Sequence, residues 1–396
     1  MKKVTKESPA KDRVAIIGIG QTAFGEQWDR SIRRITLTAA TACIADAGVA
    51  GKDIDGLYVS NTSTSSFIQQ EHQAAMAADS GGLLPIASTE VEAACASGGV
   101  AVRHAYLAVK SKEHKIVMAV GCEKMSDISE PAIADTLMSA ADREWEGQIG
   151  ATFPALFALL ARRHMHRYGT TLEQLAYPAV KAHANAVDNP YAQFRFKIST
   201  EQVLRSAMVA DPLRMLNCAP ISDGAAALLL CRGDLVDQFE GDPIWIDAST
   251  QASDTLALHD RPHITQFRAV TSAAKQAFSK LTMKPEDVDI AEIHDSFSIS
   301  EIISVEDLGF VEKGKGGPAL EDGYFDKKGT IPVNVSGGLK AKGHPVGATG
   351  IAQIAEIAEQ LRGRAGKRQV KSVKRGLTLN LGGTGSTAVV HILNQE

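Results

Sequence analysis

Cys95 sits in the stretch Val91-Glu92-Ala93-Ala94-Cys95-Ala96-Ser97-Gly98-Gly99-Val100, an extended run that ends at a thiol and passes into a helix opening on small residues. Ala96 to Gly99 keep bulk away from the sulfur, and Ala101 to Val109 continue as an apolar helix. A thiol at such a junction meets unpaired N–H groups and the positive end of a helix dipole, which favour the nucleophilic thiolate. The same pattern suits a buried structural cysteine, since free Cys is among the most buried residue types. His344 lies between Gly343 and Pro345, and a rigid Gly-His-Pro loop holds an imidazole in one place, as general-base chemistry requires. His294 stands in Glu292-Ile293-His294-Asp295-Ser296-Phe297, where it serves either chemistry or the start of a helix. Glycines crowd the loop Asn334 to Gly350 and the turn Asn380-Leu381-Gly382-Gly383-Thr384-Gly385. Taken singly, such glycines suit tight turns.

The elements that must position these residues alternate in a way that indicates an α/β fold. Val14 to Gly20 reads as a buried strand; its GIGQTAFG glycines depart from the GxGxxG spacing of a dinucleotide site. Ser31 to Ala47 has helical spacing and ends at Gly48, a C-cap residue. Asp55 to Ser60 and Lys115 to Val120 read as strands, and Gln69 to Ala78 as a helix. From Met125 to Leu216 the alternation lapses into helical segments, a loop domain inserted in the first half; its Arg162-Arg163-His164-Met165-His166 stripe reads as a solvated helix end. Strand signals return with Ala225 to Cys231.

An internal duplication organises the whole. Ala39 to Asn61 aligns without gaps to Ala273 to Asp295, with Asp53-Ile54-Asp55 on Asp287-Val288-Asp289. The second half then repeats the order: strand 244–249, helix 270–281, strand 289–294, helix 297–308, strand 330–335, helix 346–361, and strands 376–381 and 387–393. The expected division is therefore 1–124 with 217–240 as the first half, 125–216 as the insertion, and 241–396 as the second half. Cys95 and His294 come from different halves, yet each lies just past a strand, where ligands of α/β sheets collect.

Composition sets the outer bounds. Hydrophobic residues at 44% and charged residues at 22% describe an ordinary globular chain, and a net charge of -4 gives no attraction to nucleic acid or membrane. The five cysteines are scattered, without a CxxC pair or histidines at ligand spacing, so free thiols, a reducing cytoplasmic setting and no metal are expected. Met1 to Arg13 is charged rather than apolar, unlike a signal peptide. The basic run Arg362 to Arg375 reads as solvated surface.

Together the cysteine turn, the HDSF segment, the GHPxGATG loop and the C-terminal glycine turn resemble the thiolase superfamily, in order and over nearly the whole chain. HDSF is similar to the HDCF of the sterol-carrier and archaeal types, and Glu123-Lys124-Met125, Val180-Lys181-Ala182-His183 and Glu306 to Phe310 also resemble the archaeal type. The resemblance implies two duplicated βαβαβαββ halves in a layered αβαβα arrangement with a loop domain. It implies that Cys95 attacks an acyl-CoA thioester with His344 as proton acceptor, and that the N–H groups of Cys95 and Gly382 form an oxyanion hole. His294 would polarise the thioester of a second acyl-CoA, and Ser296, Gly343, Asn380 and Gly383 would line the substrate. Coenzyme A thioesters enter as substrates, with no cofactor beyond them. A homodimer or homotetramer, a small zinc-containing OB-fold protein and a hydroxymethylglutaryl-CoA synthase are the implied partners, within lipid metabolism and the mevalonate pathway.

One departure stands out. Thiolases carry a second cysteine that removes an α-proton, either at the start of a CxGG turn, where this chain has Asn380, or in HDCF, where it has Ser296. A serine hydroxyl is far too weak an acid to replace a thiolate. Three readings follow: an acetyl-CoA C-acetyltransferase, a Cys95-dependent enzyme with a different acyl acceptor, and a scaffold subunit of an acyl-transfer complex.

Overall fold

The computed structural model describes residues 12–239 and 241–396; the charged N-terminal segment, up to Lys11, lies outside them. The first half runs β1 (Val14–Gln21), α1 (Ile32–Ala47), β2 (Gly56–Ser60), the short α2 (Thr64–Ile68), α3 (Gln73–Ser80), β3 (Ala87–Val91), α4 (Ser97–Lys110) and β4 (Ile116–Glu123). Next come the helices α5 (Glu130–Met138), α6 (Phe153–Tyr168), α7 (Leu172–Ala186) and α8 (Thr200–Arg205), with a two-stranded ribbon β5 (Met208–Ala210) and β6 (Leu213–Arg214). β7 (Gly224–Arg232) returns to the first half. The second half contains β8 (Ile244–Ser253), α9 (Arg268–Leu281), β9 (Ile290–Ile293), α10 (Ser298–Asp307), α11 (Gly316–Glu321), α12 (Thr349–Leu361), β10 (Arg375–Gly382) and β11 (Thr387–Asn394).

The strand order β3-β2-β4-β7-β1-β8-β11-β10-β9 makes the duplication visible, since each half mirrors the other about the β1–β8 seam. That seam is thin: only Ala15 with Trp245 and Ile16 with Ile244 pair across it. β2 and β4 pair parallel, as do β9 and β10, while the last strand of each half returns antiparallel. α4 packs against β2, β4 and β7, and α12 against β9 and β10, and the two helices touch. They form a central layer between the half-sheets; α1 and α9 cover the outer faces, giving the expected αβαβα stack.

Local chemistry explains the individual elements. α1 is capped by Ser31, whose hydroxyl accepts the Arg34 N–H, and ends at Gly48 with φ 64°. Its buried stripe of Ile32, Ile35, Ala39, Cys43 and Ala47 closes on β1 because Gly20 has no side chain. A Cβ there would stand 2.1 Å from the Ala39 carbonyl oxygen. Gly18 and Gly20 of the GIGQTAFG segment thus serve helix–strand packing.

Four sequence expectations need correcting. Residues 330–335 do not form a strand: Pro332 offers no N–H, and the segment makes a single bridge, Val333 to Ala291, where its counterpart β3 pairs along its full length. The strand before Cys95 stops at Val91, four residues short of the thiol. His164 is fully buried, with Nδ1 2.7 Å from Thr170 Oγ1 and Nε2 3.2 Å from Glu306 Oε2, so it anchors α6 to α10. Arg362 and Arg368 are also buried. Arg362 donates to Asp46 and to the Ile16 carbonyl, joining the end of α12 to the first half, and Arg368 pairs with Glu356. Among the described residues no helix is long and apolar enough to cross a membrane.

Candidate active site

Cys95 is held in a turn, not at a strand end. Ala94 just before it adopts φ 52°, a left-handed conformation that costs a non-glycine residue roughly 1–3 kcal/mol. Three contacts impose it. The Ala94 N–H donates to Glu92 Oε1 (2.6 Å), and its carbonyl accepts from Thr62 Oγ1 (3.0 Å) and Ser97 Oγ (2.6 Å). α4 then opens at Ser97, two residues beyond the thiol.

The convergence of the other groups depends on the central helices. A Cβ on Gly98 would stand 2.9 Å from the Gly350 nitrogen, and one on Gly350 would stand 2.2 Å from Asn380 Oδ1. Only glycine lets the N-termini of α4 and α12 approach so closely. This brings Cys95 Sγ and a ring nitrogen of each of His294 and His344 within 4.8 Å of one another. The histidine rings meet edge to face, 5.1 Å between centroids. Their loops are pinned from below. Glu123, buried at the end of β4, accepts the N–H groups of Thr62 (2.9 Å) and Gly347 (3.1 Å) and the hydroxyl of Thr64 (3.1 Å). Ser222 accepts the His344 N–H at 2.9 Å and donates to Gln193 at 2.6 Å. Asp295 accepts the Leu339 N–H at 2.7 Å.

Cys95, Ser296, His344 and Gly383 line a cavity of about 80 Å³, walled by Thr62, Met125, Leu137, Phe153, Phe157 and Phe297. A larger cavity of about 580 Å³ shares Ala219 to Ile221 with it and is bordered by Trp28, His183, Phe194 and Lys340. Gly343, at φ 114°, packs against Ser222 and Phe24 and sets up the His344 loop without lining either cavity. Asn380 and His294 are buried and do not line the smaller cavity, although a His294 ring nitrogen stays within 4.8 Å of the Cys95 Sγ that does. Gly382 ends β10, with its carbonyl accepting the N–H groups of Gly385 and Ser386.

The resting charge state differs from the expected thiolate. Burial, aided by the negative charge of Glu123, pushes the Cys95 thiol up to about 12, against the lowering effect of its own N–H and that of Gly383. Besides the N–H of Cys95 itself, the turn contributes through Gly383, one residue past Gly382. Burial also lowers His344 to about 3, and burial plus the neighbouring His344 lower His294 well below the usual imidazole value. These shifts favour a neutral thiol beside two neutral imidazoles, with the thiol giving up its proton as it attacks. Sequence reasoning missed Thr62, Glu123, Ser222 and Thr349. For Glu123 and Thr349 the motifs EKM and GATG were visible, but their hydrogen bonds were not.

Duplicated α/β halves meeting over a cysteine and two histidines define a cysteine-nucleophile enzyme of the acyl-transfer kind. Residues 14–234 match the model of the thiolase N-terminal domain and residues 250–395 that of the thiolase C-terminal domain-like family. The chain belongs to the thiolase family. It is 56% identical to an acetyl-CoA acetyltransferase of Methanothermobacter thermautotrophicus, over 96% of this chain and 99% of that one. It is 33% identical to sterol carrier protein 2 of Bos taurus, over 98% of this chain and 74% of that one. Among solved structures it resembles an Ltp2-ChsH2(DUF35) aldolase, with TM-score 0.86, 26% identity and 98% of both chains covered. Human mitochondrial 3-ketoacyl-CoA thiolase shares the fold, with TM-score 0.75, 18% identity, and 97% of this chain and 99% of that one covered.

Proposed function

We propose that this chain is an acetyl-CoA C-acetyltransferase that condenses two acetyl-CoA molecules to acetoacetyl-CoA, or runs the reverse thiolysis, through a Cys95 acyl-enzyme. The observation that carries this reading is the meeting of Cys95, His294 and His344 within 4.8 Å beside a small apolar cavity. In the first half-reaction His344 takes the thiol proton as sulfur attacks the thioester carbon. The developing oxyanion is received by the backbone N–H groups of Cys95 and Gly382, and the proton passes to the departing coenzyme A sulfur. His294 polarises the thioester of the second acetyl-CoA. The cavity of about 580 Å³ has the size and the largely apolar lining, with a few polar groups, to receive the pantetheine arm, and segment 125–216 forms much of its wall.

Incubation with acetyl-CoA followed by mass spectrometry tests this: a single acetyl adduct is expected on Cys95. An adduct on Cys43, Cys122, Cys218 or Cys231 with none on Cys95 would refute it.

A second reading keeps the acyl-enzyme and passes the acyl group to an acceptor other than coenzyme A. It is favoured by Ser296, which lines the cavity where a second cysteine would stand. A burst of acyl-enzyme followed by very slow acetoacetyl-CoA release would favour it over condensation. The assembled triad argues against a scaffold with no activity of its own.

The partners follow from the same reading. The edge strand β3 leaves one side unpaired in a single chain, which suits pairing with a second copy in a dimer or tetramer. The likeness to a solved DUF35-containing aldolase supports a small zinc-containing OB-fold partner, and a hydroxymethylglutaryl-CoA synthase would take up the acetoacetyl-CoA. Five free cysteines accord with a cytoplasmic setting.

A further inference from the structure

We propose that Asn380 is a positioning residue that locks His294 in the tautomer opposite to the one Thr349 gives His344, making His294 a hydrogen-bond donor and leaving His344 as the base of both half-reactions. The inference rests on the condensation reading above and deepens it.

The hydrogen bonds determine where each proton lies. The Gly99 N–H can only donate, and it reaches Asn380 Oδ1 at 3.0 Å, which settles the amide's orientation. Asn380 Nδ2 then points its two hydrogens at the Cys95 carbonyl, 2.9 Å away, and at His294 Nδ1, 3.3 Å away. A ring nitrogen facing an N–H donor must accept, so the proton of neutral His294 sits on Nε2. His344 is set the other way. Thr349 has one hydroxyl hydrogen, which it gives to the Pro345 carbonyl at 2.9 Å. Toward His344 Nδ1, 2.7 Å away, it accepts, so that nitrogen carries the proton and Nε2 keeps a lone pair. The burial that keeps both rings neutral preserves this arrangement.

The missing second cysteine then has a substitute. Once Cys95 is acylated and coenzyme A has left with the proton, His344 is neutral again. Its Nε2 takes a proton from the methyl group of the second acetyl-CoA. The electrons of that C–H bond move to the thioester oxygen, which the His294 Nε2–H receives. The enolate carbon then bonds to the acyl carbon on Cys95, the S–C bond breaks, and the sulfur recovers the proton from His344. Every proton and electron pair is accounted for without Ser296 as a base. The lone pair that His294 would need for this task at Nδ1 is spent on Asn380.

Nitrogen-15 NMR of the full chain labelled at histidine reads the tautomers directly. The expected spectrum has His344 protonated at Nδ1 and His294 at Nε2. In Asn380→Asp, the carboxylate faces His294 Nδ1 as an acceptor, and the His294 proton should move there. A parent protein with both histidines in one tautomer, or an unmoved His294 signal in Asn380→Asp, would overturn the proposal. Kinetics separate donor from base: His294→Gln keeps a donor that cannot take a proton. It should lose only about tenfold in condensation, whereas removing a general base costs ~10²–10⁴-fold. A loss in that larger range would overturn the proposal and make His294 the base. Absence of a Cys95 adduct would defeat the condensation reading, whereas the tautomers are measured independently of it.

Discussion

At Cys95, the thiol lies close to a base yet is not ionised by it. A neutral pair avoids placing two opposite charges against a mostly apolar cavity wall, where few polar groups can solvate them. With the thiol pushed up to about 12, its thiolate fraction rises about tenfold with each unit of increasing pH until that value is approached. Alkylation of Cys95 by iodoacetamide should therefore climb steadily from pH 7 to pH 9 without levelling off. A plateau by pH 8 would mean that a thiolate–imidazolium pair already exists at rest. Neutral His344, lowered to about 3, should contribute no acid limb to acylation between pH 5 and 7.

Among the elements, α4 and α12 are equivalent helices of the two halves, and their glycine-lined N-termini deliver the nucleophile and the base to one point. The crowding at Gly350 makes this testable. A methyl group there would press on Asn380 Oδ1 at 2.2 Å and on the Gly99 nitrogen at 2.3 Å, neither of which can easily retreat. Gly350→Ala should cost roughly 1–3 kcal/mol of stability, the usual range for overpacking. It should also slow acylation by moving Cys95 from His344. Denaturant unfolding and burst-phase acylation check the two effects separately; parent-like values in both would mean that the helix contact is not tight.

For the whole molecule, the cavity is closed by parts that are far apart in the chain. Phe157 from α6 stacks on Phe297 of the second half at 4.3 Å between centroids, and Met125, Leu137 and Phe153 complete the wall. A cavity of about 80 Å³ suits an acetyl group better than a longer chain. Phe157→Leu opens the wall while keeping an apolar side chain. It should raise kcat/KM for butyryl-CoA relative to acetyl-CoA about tenfold, within the ~10–200-fold that a methylene commands in such a pocket. An unchanged ratio would mean that other residues limit chain length.

Much of this was legible in the chain itself. The duplication is a self-alignment, and the strand and helix periods, the Gly48 cap and the Cys95, His294 and His344 motifs all depend on residues near one another in sequence. What a residue touches across the fold was not legible. Segment 330–335 has the composition of a strand, but Pro332 and its edge position leave it a single bridge. Arg362 and His164 look like surface residues until Asp46 and Glu306 arrive from elsewhere in the chain. Asn380 read only as the place of an absent cysteine; its three contacts, at Gly99, Cys95 and His294, span both halves. Ionisation was least accessible of all. A helix terminus argues for a thiolate from local dipoles, whereas burial, which depends on every segment packed around it, raises the thiol and favours its neutral form. Sequence determined which groups are present and roughly where each element begins. Tertiary packing decided which of them share a proton, because hydrogen bonds and desolvation act through space.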